Sequence, residues 1–171
     1  MNYIIGLVGP SGSGKTALIN EALNKVPNLK VIKSTTTRAP RGPEDDPYYE
    51  FLSREKFEKR EKNNDFVNVE HYAGNKYGTY KAHLNEILTK HHGIMAIVET
   101  AIKKFKDADY KIKVIKIIPL NQQMFRGKKR EAADLQRSQV TIEVDKEIMN
   151  SFEPGGLEKA ALEMIRYIES L

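Results

Sequence analysis

The chain has 171 residues, of which 40% are hydrophobic and 30% are charged. This size and balance are typical of one soluble globular domain. The absence of cysteine excludes disulfide bonds, a thiolate nucleophile and Cys-ligated metal clusters. The 28 Lys and Arg residues against 23 Asp and Glu residues give a net charge of +5. A positive balance favours anionic ligands such as phosphates, nucleotides or nucleic acids, but it does not choose among them.

The sequence contains no apolar run near the roughly 20 residues that a membrane span needs. Its first residues, MNYIIGLVG, lack the basic segment that begins a signal peptide. We therefore expect a cytoplasmic protein with no membrane partner.

Apolar runs and helical spacings alternate along the chain. Apolar runs predict strands at residues 3–8, 29–32, 66–72, 94–98 and 112–118. Helical spacing predicts helices at residues 16–26, 54–62, 79–91, 121–140 and 157–171, with Ser53 as the N-cap of the second. This alternation is typical of the α/β class with a mainly parallel sheet. The polar stretch 34–79 interrupts it, and its first part, 34–47, has the Thr, Arg, Pro and Gly composition of a loop. We interpret 34–79 as a substrate-binding subdomain inserted into a single domain, whose core is 1–33 and 80–171.

Residues 9–16 read GPSGSGKT, which satisfies the pattern G-x-x-x-x-G-K-[ST] between a predicted strand and a predicted helix. Such a loop turns its backbone N–H groups toward phosphate oxygens, and the helix N-terminus adds a favourable field. Lys15 is expected to reach the β- and γ-phosphates of a nucleotide, and the Thr16 hydroxyl is expected to bind Mg²⁺. The predicted ATP-binding residues are Gly9, Ser11, Gly12, Ser13, Gly14, Lys15 and Thr16.

The alternative for this loop is a Gly- and Ser-rich turn that only caps a helix. The full pattern with both flanks favours nucleotide binding. It does not define the reaction, because GTPases, ATPases, helicases and small-molecule kinases share it.

Two arginines, Arg38 and Arg41, are held three residues apart by proline and glycine, which suits a second phosphate. From here the sequence resembles the guanylate kinase family, which transfers phosphate from ATP to GMP. STTTRAPRGPE, YEF, FLSREKF, NNDFV and GNKYGT follow one another in the family's order, and the resemblance covers nearly the whole chain. It implies a three-layer P-loop fold with a parallel central sheet, an acceptor-binding subdomain at 34–79 and a helical lid at about 122–140.

The resemblance also assigns site residues, with ATP and Mg²⁺ as the donor pair. The residues that it implies for the acceptor phosphate are Ser34, Arg38, Arg41, Tyr49 and Tyr77. It implies that Thr79 contacts the guanine. Without the motif, Arg38 and Arg41 would be interpreted as part of a solvated basic loop.

Asn68 departs from the family, which usually has a carboxylate at this position. Guanine presents two donors, N1–H and N2–H, whereas an Asn side chain offers one acceptor. Glu70 lies two residues further on the same strand face, and it either substitutes for the missing carboxylate or is a solvated surface residue. A smaller departure is Gly42-Pro43, which reverses the usual order of a small residue and glycine.

Glu99 falls where the family has the second of two Asp residues at a strand end. We expect it beside the phosphate loop, acting through a Mg²⁺-bound water or on the acceptor, unless it is an ordinary strand-end Glu.

The predicted lid contains Arg126, Arg130 and Arg137, which are expected to close over the transferring phosphate. The paired lid arginines are either Arg126 and Arg130 or Arg126 and Arg137. The alternative to a lid is an exposed basic helix.

The favoured interpretation is a nucleoside monophosphate kinase for GMP, monomeric or homodimeric. One alternative is a related kinase for a phosphorylated sugar, such as a ribose bisphosphate phosphokinase, since such relatives also lose the guanine-reading carboxylate. Another is a non-catalytic guanylate-kinase-like binding module, although such modules typically lose the phosphate loop. No nucleic acid partner is expected, because the basic segments are short and lack interleaved aromatic residues.

Overall fold

The computed structural model describes residues 1–120 and 141–171. Its main sheet has five parallel strands in the order β2-β7-β1-β8-β9. These strands are β1 Ile4–Val8, β2 Leu29–Val31, β7 His92–Ala96, β8 Ile112–Leu120 and β9 Lys146–Ser151. The helices of the described ranges are α1 Lys15–Lys25, α2 Arg54–Lys62, α3 Lys81–Lys90, α4 Glu99–Asp107 and α5 Gly156–Glu169. None of them is long and apolar enough to cross a membrane.

Helices cover both faces of the main sheet, as the apolar sequence of β1 requires. All five residues of this strand are buried. Ile5 and Leu7 pack in a cluster with α1 and α5, whereas Ile4 and Val8 pack with α3 and α4 on the other face. The predicted α/β fold with three layers and a parallel central sheet is therefore confirmed.

A second sheet of four strands lies at the carboxyl end of β2, in the order β4-β3-β6-β5. Its strands are β3 Ser34–Thr36, β4 Tyr49–Phe51, β5 Phe66–Tyr72 and β6 Asn75–Tyr80. Helix α2 covers it, and the ring of Phe57 stacks on that of Phe66 with centroids 4.6 Å apart. The Ser53 hydroxyl accepts a hydrogen bond from the Lys56 N–H at 3.3 Å and caps α2 as predicted. This sheet occupies the stretch interpreted as the inserted subdomain.

Several predicted boundaries differ from the structure. Residues 34–36 form a strand within the predicted loop, and the residues predicted to begin a helix at 79 end β6 instead. The strand predicted at 94–98 runs from His92 to Ala96 instead. A Cβ atom on Gly93 would lie 2.4 Å from a side-chain carbon of Ile32, so this strand position suits glycine. Strand β9 was not predicted, and the helix predicted at 121–140 lies outside the described residues.

Candidate active site

The phosphate loop joins β1 to α1 and depends on glycine. Gly9, Gly12 and Gly14 have φ values of 145°, 77° and 91°, which glycine adopts more readily than other residues. The loop curls around the ammonium group of Lys15, which donates hydrogen bonds to the carbonyl oxygens of Gly9 at 2.8 Å and Pro10 at 2.9 Å. The loop sequence therefore adopts the conformation that its pattern predicts.

Asn150 supports this loop from β9 and is a residue that the sequence analysis missed. Its side-chain N–H donates to the carbonyl oxygen of Ser13 at 2.9 Å, in a fully buried position. A Cβ atom on Gly14 would lie 2.3 Å from the same amide nitrogen, so the third glycine of the loop is required by this contact. No motif marks Asn150, because it meets the loop from more than 130 residues away.

A cavity of about 230 Å³ lies between the phosphate loop and the second sheet. From the loop and α1 it is lined by Ser11, Gly12, Lys15 and Thr16. From the second sheet and the segment after β3 it is lined by Ser34, Arg41, Tyr49, Asn68, Glu70, Tyr72, Tyr77, Gly78 and Thr79. Residues 95–98 complete it. Most of the predicted donor and acceptor residues thus meet at one cavity.

Arg38 is the predicted acceptor residue that does not line this cavity in the described part of the chain. Its guanidinium group donates to Asp45 Oδ2 at 2.9 Å and to the Ala39 carbonyl oxygen at 3.0 Å, and lies 4.8 Å from the ring centre of Tyr49. Its side chain is 10% exposed, and its Nη2 is buried without a partner among the described residues. Burial alone would lower the Arg38 pKa, but the hydrogen bond and charge of Asp45 outweigh burial and raise it.

Asp45 is a second residue that the sequence analysis missed. Its Oδ2 also accepts the backbone N–H of Arg41 at 2.9 Å, so one carboxylate oxygen holds both predicted phosphate-binding arginines. Asp45 ends the 3₁₀ turn Pro43–Asp45, which follows directly from Gly42. The Gly42-Pro43 departure noted in the sequence therefore forms the turn that carries this carboxylate.

Asn68 and Glu70 both face inward on β5. The Asn68 residue is 8% exposed, and its Oδ1 has no hydrogen-bond partner among the described residues. Glu70 is buried, so the expectation of a solvated surface residue is wrong. Its carboxylate lies 2.6 Å from the Thr100 hydroxyl and 2.6 Å from Lys104 Nζ, both on α4.

Of the remaining predicted catalytic residues, Glu99 is the one that lies within the described ranges. Glu99 is the first residue of α4, three positions beyond the last residue of β7, and it does not contribute to the lining from the described residues. The expectation that it ends a strand is wrong, because the chain leaves the ladder after Ala96. Its catalytic role stays a prediction. Arg126, Arg130 and Arg137 lie outside the described residues, as does the predicted lid.

A larger cavity, of about 720 Å³, lies between the second sheet and α3. Lys33, Glu50 and His83 are among its lining residues, and no residue of the phosphate loop reaches it. The conformation of the loop, rather than cavity size, therefore identifies the candidate site.

A glycine-rich loop between the first strand and first helix of a three-layer parallel sheet defines a P-loop α/β protein. The model of the guanylate kinase family matches residues 1–154. The chain belongs to the guanylate kinase family.

Curated relatives agree with this assignment. The chain is 42% identical over 101 residues to a guanylate kinase of Rubrobacter xylanophilus, a match that covers 58% of this chain and 52% of that protein. It is 30% identical over 155 residues to a guanylate kinase of Prochlorococcus marinus subsp. pastoris, covering 84% of this chain and 83% of the relative. For several of the curated relatives that it matches, the chain spans only about half of their length.

The fold is also that of a solved relative. The crystal structure of guanylate kinase from Anaplasma phagocytophilum superimposes with a TM-score of 0.75, at 23% sequence identity. The match covers 99% of this chain and 85% of the other.

Proposed function

We propose that this protein is an ATP-dependent guanylate kinase, which converts ATP and GMP to ADP and GDP. One observation carries the proposal: a single cavity is lined by the phosphate loop on one side and by predicted acceptor residues on the other. Phosphoryl transfer needs donor and acceptor phosphates placed in line, with positive charge over the transferring oxygens. The family membership supports the same reaction.

On the donor side, the loop N–H groups and Lys15 bind the phosphates of ATP. Thr16 lies at the cavity, is exposed and is the second residue of α1, so its hydroxyl would suit a Mg²⁺ ion. Bound beside Thr16, Mg²⁺ would supply positive charge that offsets the charge of the phosphates. Lys15 holds the phosphates in position beside it.

On the acceptor side, the residues that bind the GMP phosphate are Ser34, Arg38, Arg41, Tyr49 and Tyr77. Asn68 and Thr79 face the base. An oxygen of the acceptor phosphate is already nucleophilic, so the reaction demands no general base. Glu99 assists from the start of α4, and the predicted roles of Arg126, Arg130 and Arg137 rest on the sequence, because these residues lie outside the described ranges.

The test is ADP release with a panel of acceptors: GMP, dGMP, IMP, AMP and ribose 1,5-bisphosphate. GMP should give the highest kcat/KM. A preference for AMP would indicate that Asn68 recognises an adenine edge, where its acceptor and donor fit. Turnover of the sugar phosphate alone would favour the related sugar kinase. GMP binding with no turnover of any acceptor would favour a binding module.

Lys15→Ala should reduce kcat by more than about tenfold, which corresponds to roughly 1.4 kcal/mol. Lys25→Ala is the matched control, because Lys25 lies at the other end of α1, is 55% exposed and pairs with Glu21 on its own helix. If Lys15→Ala retains more than about a tenth of the wild-type kcat, the kinase assignment is wrong.

A further inference from the structure

Glu70 connects the second sheet to the main body of the protein. Its side chain is 11% exposed, and its two oxygens each lie 2.6 Å from a donor on α4, the Thr100 hydroxyl and Lys104 Nζ. Lys104 Nζ also donates to the Val69 carbonyl oxygen at 2.7 Å. One lysine thus holds a side chain and a backbone group of β5. We call Glu70, Thr100 and Lys104 the Glu70 bridge.

The Glu70 bridge includes an ion pair between the second sheet and the main body of the protein. Among the ion pairs of residues 1–120 and 141–171, it is the one that joins the stretch 34–79 to the rest of the chain. Two hydroxyl contacts also join them: Ser11 with Tyr72 at 2.9 Å, and Tyr48 with Asn20. The bridge is therefore placed to fix β5 relative to α4.

The geometry favours a structural task for Glu70 over direct contact with a base. Its Oε2 accepts a hydrogen bond from Thr100 and its Oε1 forms an ion pair with Lys104, and a buried carboxylate that loses its cation is destabilised. Asn68 lies two residues before it on the same strand face, about 7 Å along β5. Any displacement of β5 at Glu70 therefore displaces the Asn68 amide in the cavity.

We propose that Thr100 and Lys104 are positioning residues: they hold Glu70 and thereby place Asn68 against the base of the acceptor. The proposal rests on the proposed function, because it takes the cavity to be the GMP site. Neither α4 residue lines that cavity within the described part of the chain. Their effect on the acceptor is exerted through β5.

The test compares steady-state kinetics of Lys104→Met, Lys104→Arg and Thr100→Val with the wild type. Lys104→Met should raise the KM for GMP by about fivefold, because β5 loses the ion pair at Glu70 and the hydrogen bond at Val69, with kcat and the KM for ATP nearly unchanged. Lys104→Arg should keep the KM for GMP near the wild-type value, since it keeps the charge. Thr100→Val should raise the KM for GMP by less than Lys104→Met does. Lys103→Met is the matched control, because Lys103 is 81% exposed and pairs with Asp107 on its own helix.

A double-mutant cycle examines the pairing itself. Lys104→Met combined with Glu70→Gln should be less impaired in GMP KM than Lys104→Met alone, because the double variant leaves no unpaired carboxylate. An unchanged GMP KM in Lys104→Met would overturn the proposal. A lower GMP KM with sharper discrimination against IMP would also overturn it, by showing that a freed Glu70 contacts the base.

Amide hydrogen exchange separates this proposal from the proposed function. In Lys104→Met, exchange should accelerate in residues 66–72 and stay unchanged in β1, whether or not the enzyme turns over GMP. If the wild type phosphorylates no acceptor while the exchange result holds, the proposed function fails and the bridge stands. Unchanged exchange in 66–72 refutes the bridge even in an active kinase.

Discussion

At the scale of single residues, Asp45 determines how the two predicted phosphate-binding arginines are held. One carboxylate oxygen accepts the Arg38 guanidinium and the Arg41 backbone N–H, both at 2.9 Å. Burial alone would raise the Asp45 pKa, but these hydrogen bonds, with the charges of the two arginines, outweigh burial and hold the pKa below its usual range. The carboxylate is thus ionised and bonded in the folded protein.

Asp45→Asn should lower the free energy of unfolding at pH 7 by an amount on the order of 1–3 kcal/mol, because Arg38 loses a charged partner while remaining 10% exposed. Since the folded pKa of Asp45 is depressed, its stabilisation is fully present above the unfolded pKa of about 3.9 and is lost as the pH falls through the folded value. The difference between wild type and variant should therefore shrink below about pH 4. Urea unfolding at pH 7, 4 and 3 measures it. Asp46→Asn controls for the loss of one charge from this turn, and a difference that is as large at pH 3 as at pH 7 would contradict the argument.

We propose that discrimination among acceptor bases depends on Asn68. Its Oδ1 is buried and unpartnered within the described ranges, and the neighbouring carboxylate of Glu70 is already engaged by α4. Asn68→Glu should add the second acceptor that guanine needs, lowering the KM for GMP by about tenfold, or roughly 1.4 kcal/mol. IMP lacks the N2–H donor, so the same substitution should lower the KM for IMP by less.

Measured kcat/KM values for GMP and IMP test this change. Asn68→Asp is the control for charge, because it adds a carboxylate on a shorter side chain. Weaker binding of GMP by Asn68→Glu would mean that two carboxylates on one strand face repel, and that the pairing of Glu70 with Lys104 does not offset its charge.

At the scale of elements, features that depend on neighbouring residues can be predicted from the sequence, whereas strands that depend on pairing with distant residues cannot. The apolar run of β1, the glycine pattern of its loop and the Ser53 cap each depend on neighbouring residues, and the structure confirms them. Strand β9 was missed because its sequence, KEIMNS, has one buried apolar residue, Ile148, while its other apolar residue, Met149, is exposed. It is a strand because it pairs with β8, which no local pattern reveals.

Asn150 gives β9 a role at the phosphate loop. Asn150→Ala should lower the free energy of unfolding by about 1–3 kcal/mol, because it leaves the buried Ser13 carbonyl oxygen without its hydrogen bond. It should also raise the KM for ATP more than the KM for GMP. Met149→Ala is the matched control on the same strand, since the Met149 residue is 62% exposed. Equal stability of the two variants would show that β9 does not support the loop.

At the scale of the whole molecule, the candidate site lies between the main sheet and the second sheet. The sequence identified most of its residues, because the loop and acceptor segments each carry a motif. It identified neither Asp45 nor the contacts of Glu70 with Thr100 and Lys104 on α4. Those contacts span 30 residues or more of sequence and depend on how the second sheet packs on the main body. Contacts of this kind arise from tertiary packing, so no regular spacing of residues in the sequence marks them.

This arrangement predicts separate footprints for the two nucleotides. GMP should slow amide exchange in residues 34–41 and 66–79, because the predicted acceptor residues lie there, whereas a non-hydrolysable ATP analogue with Mg²⁺ should slow it in 9–16. Residues 157–169 of α5 lie outside the cavity lining and serve as the internal control. Protection by GMP confined to 9–16 would place the acceptor on the phosphate loop and contradict the division of the cavity. Protection of both regions by their own ligands would put donor and acceptor phosphates on opposite walls of one cavity, as in-line transfer requires.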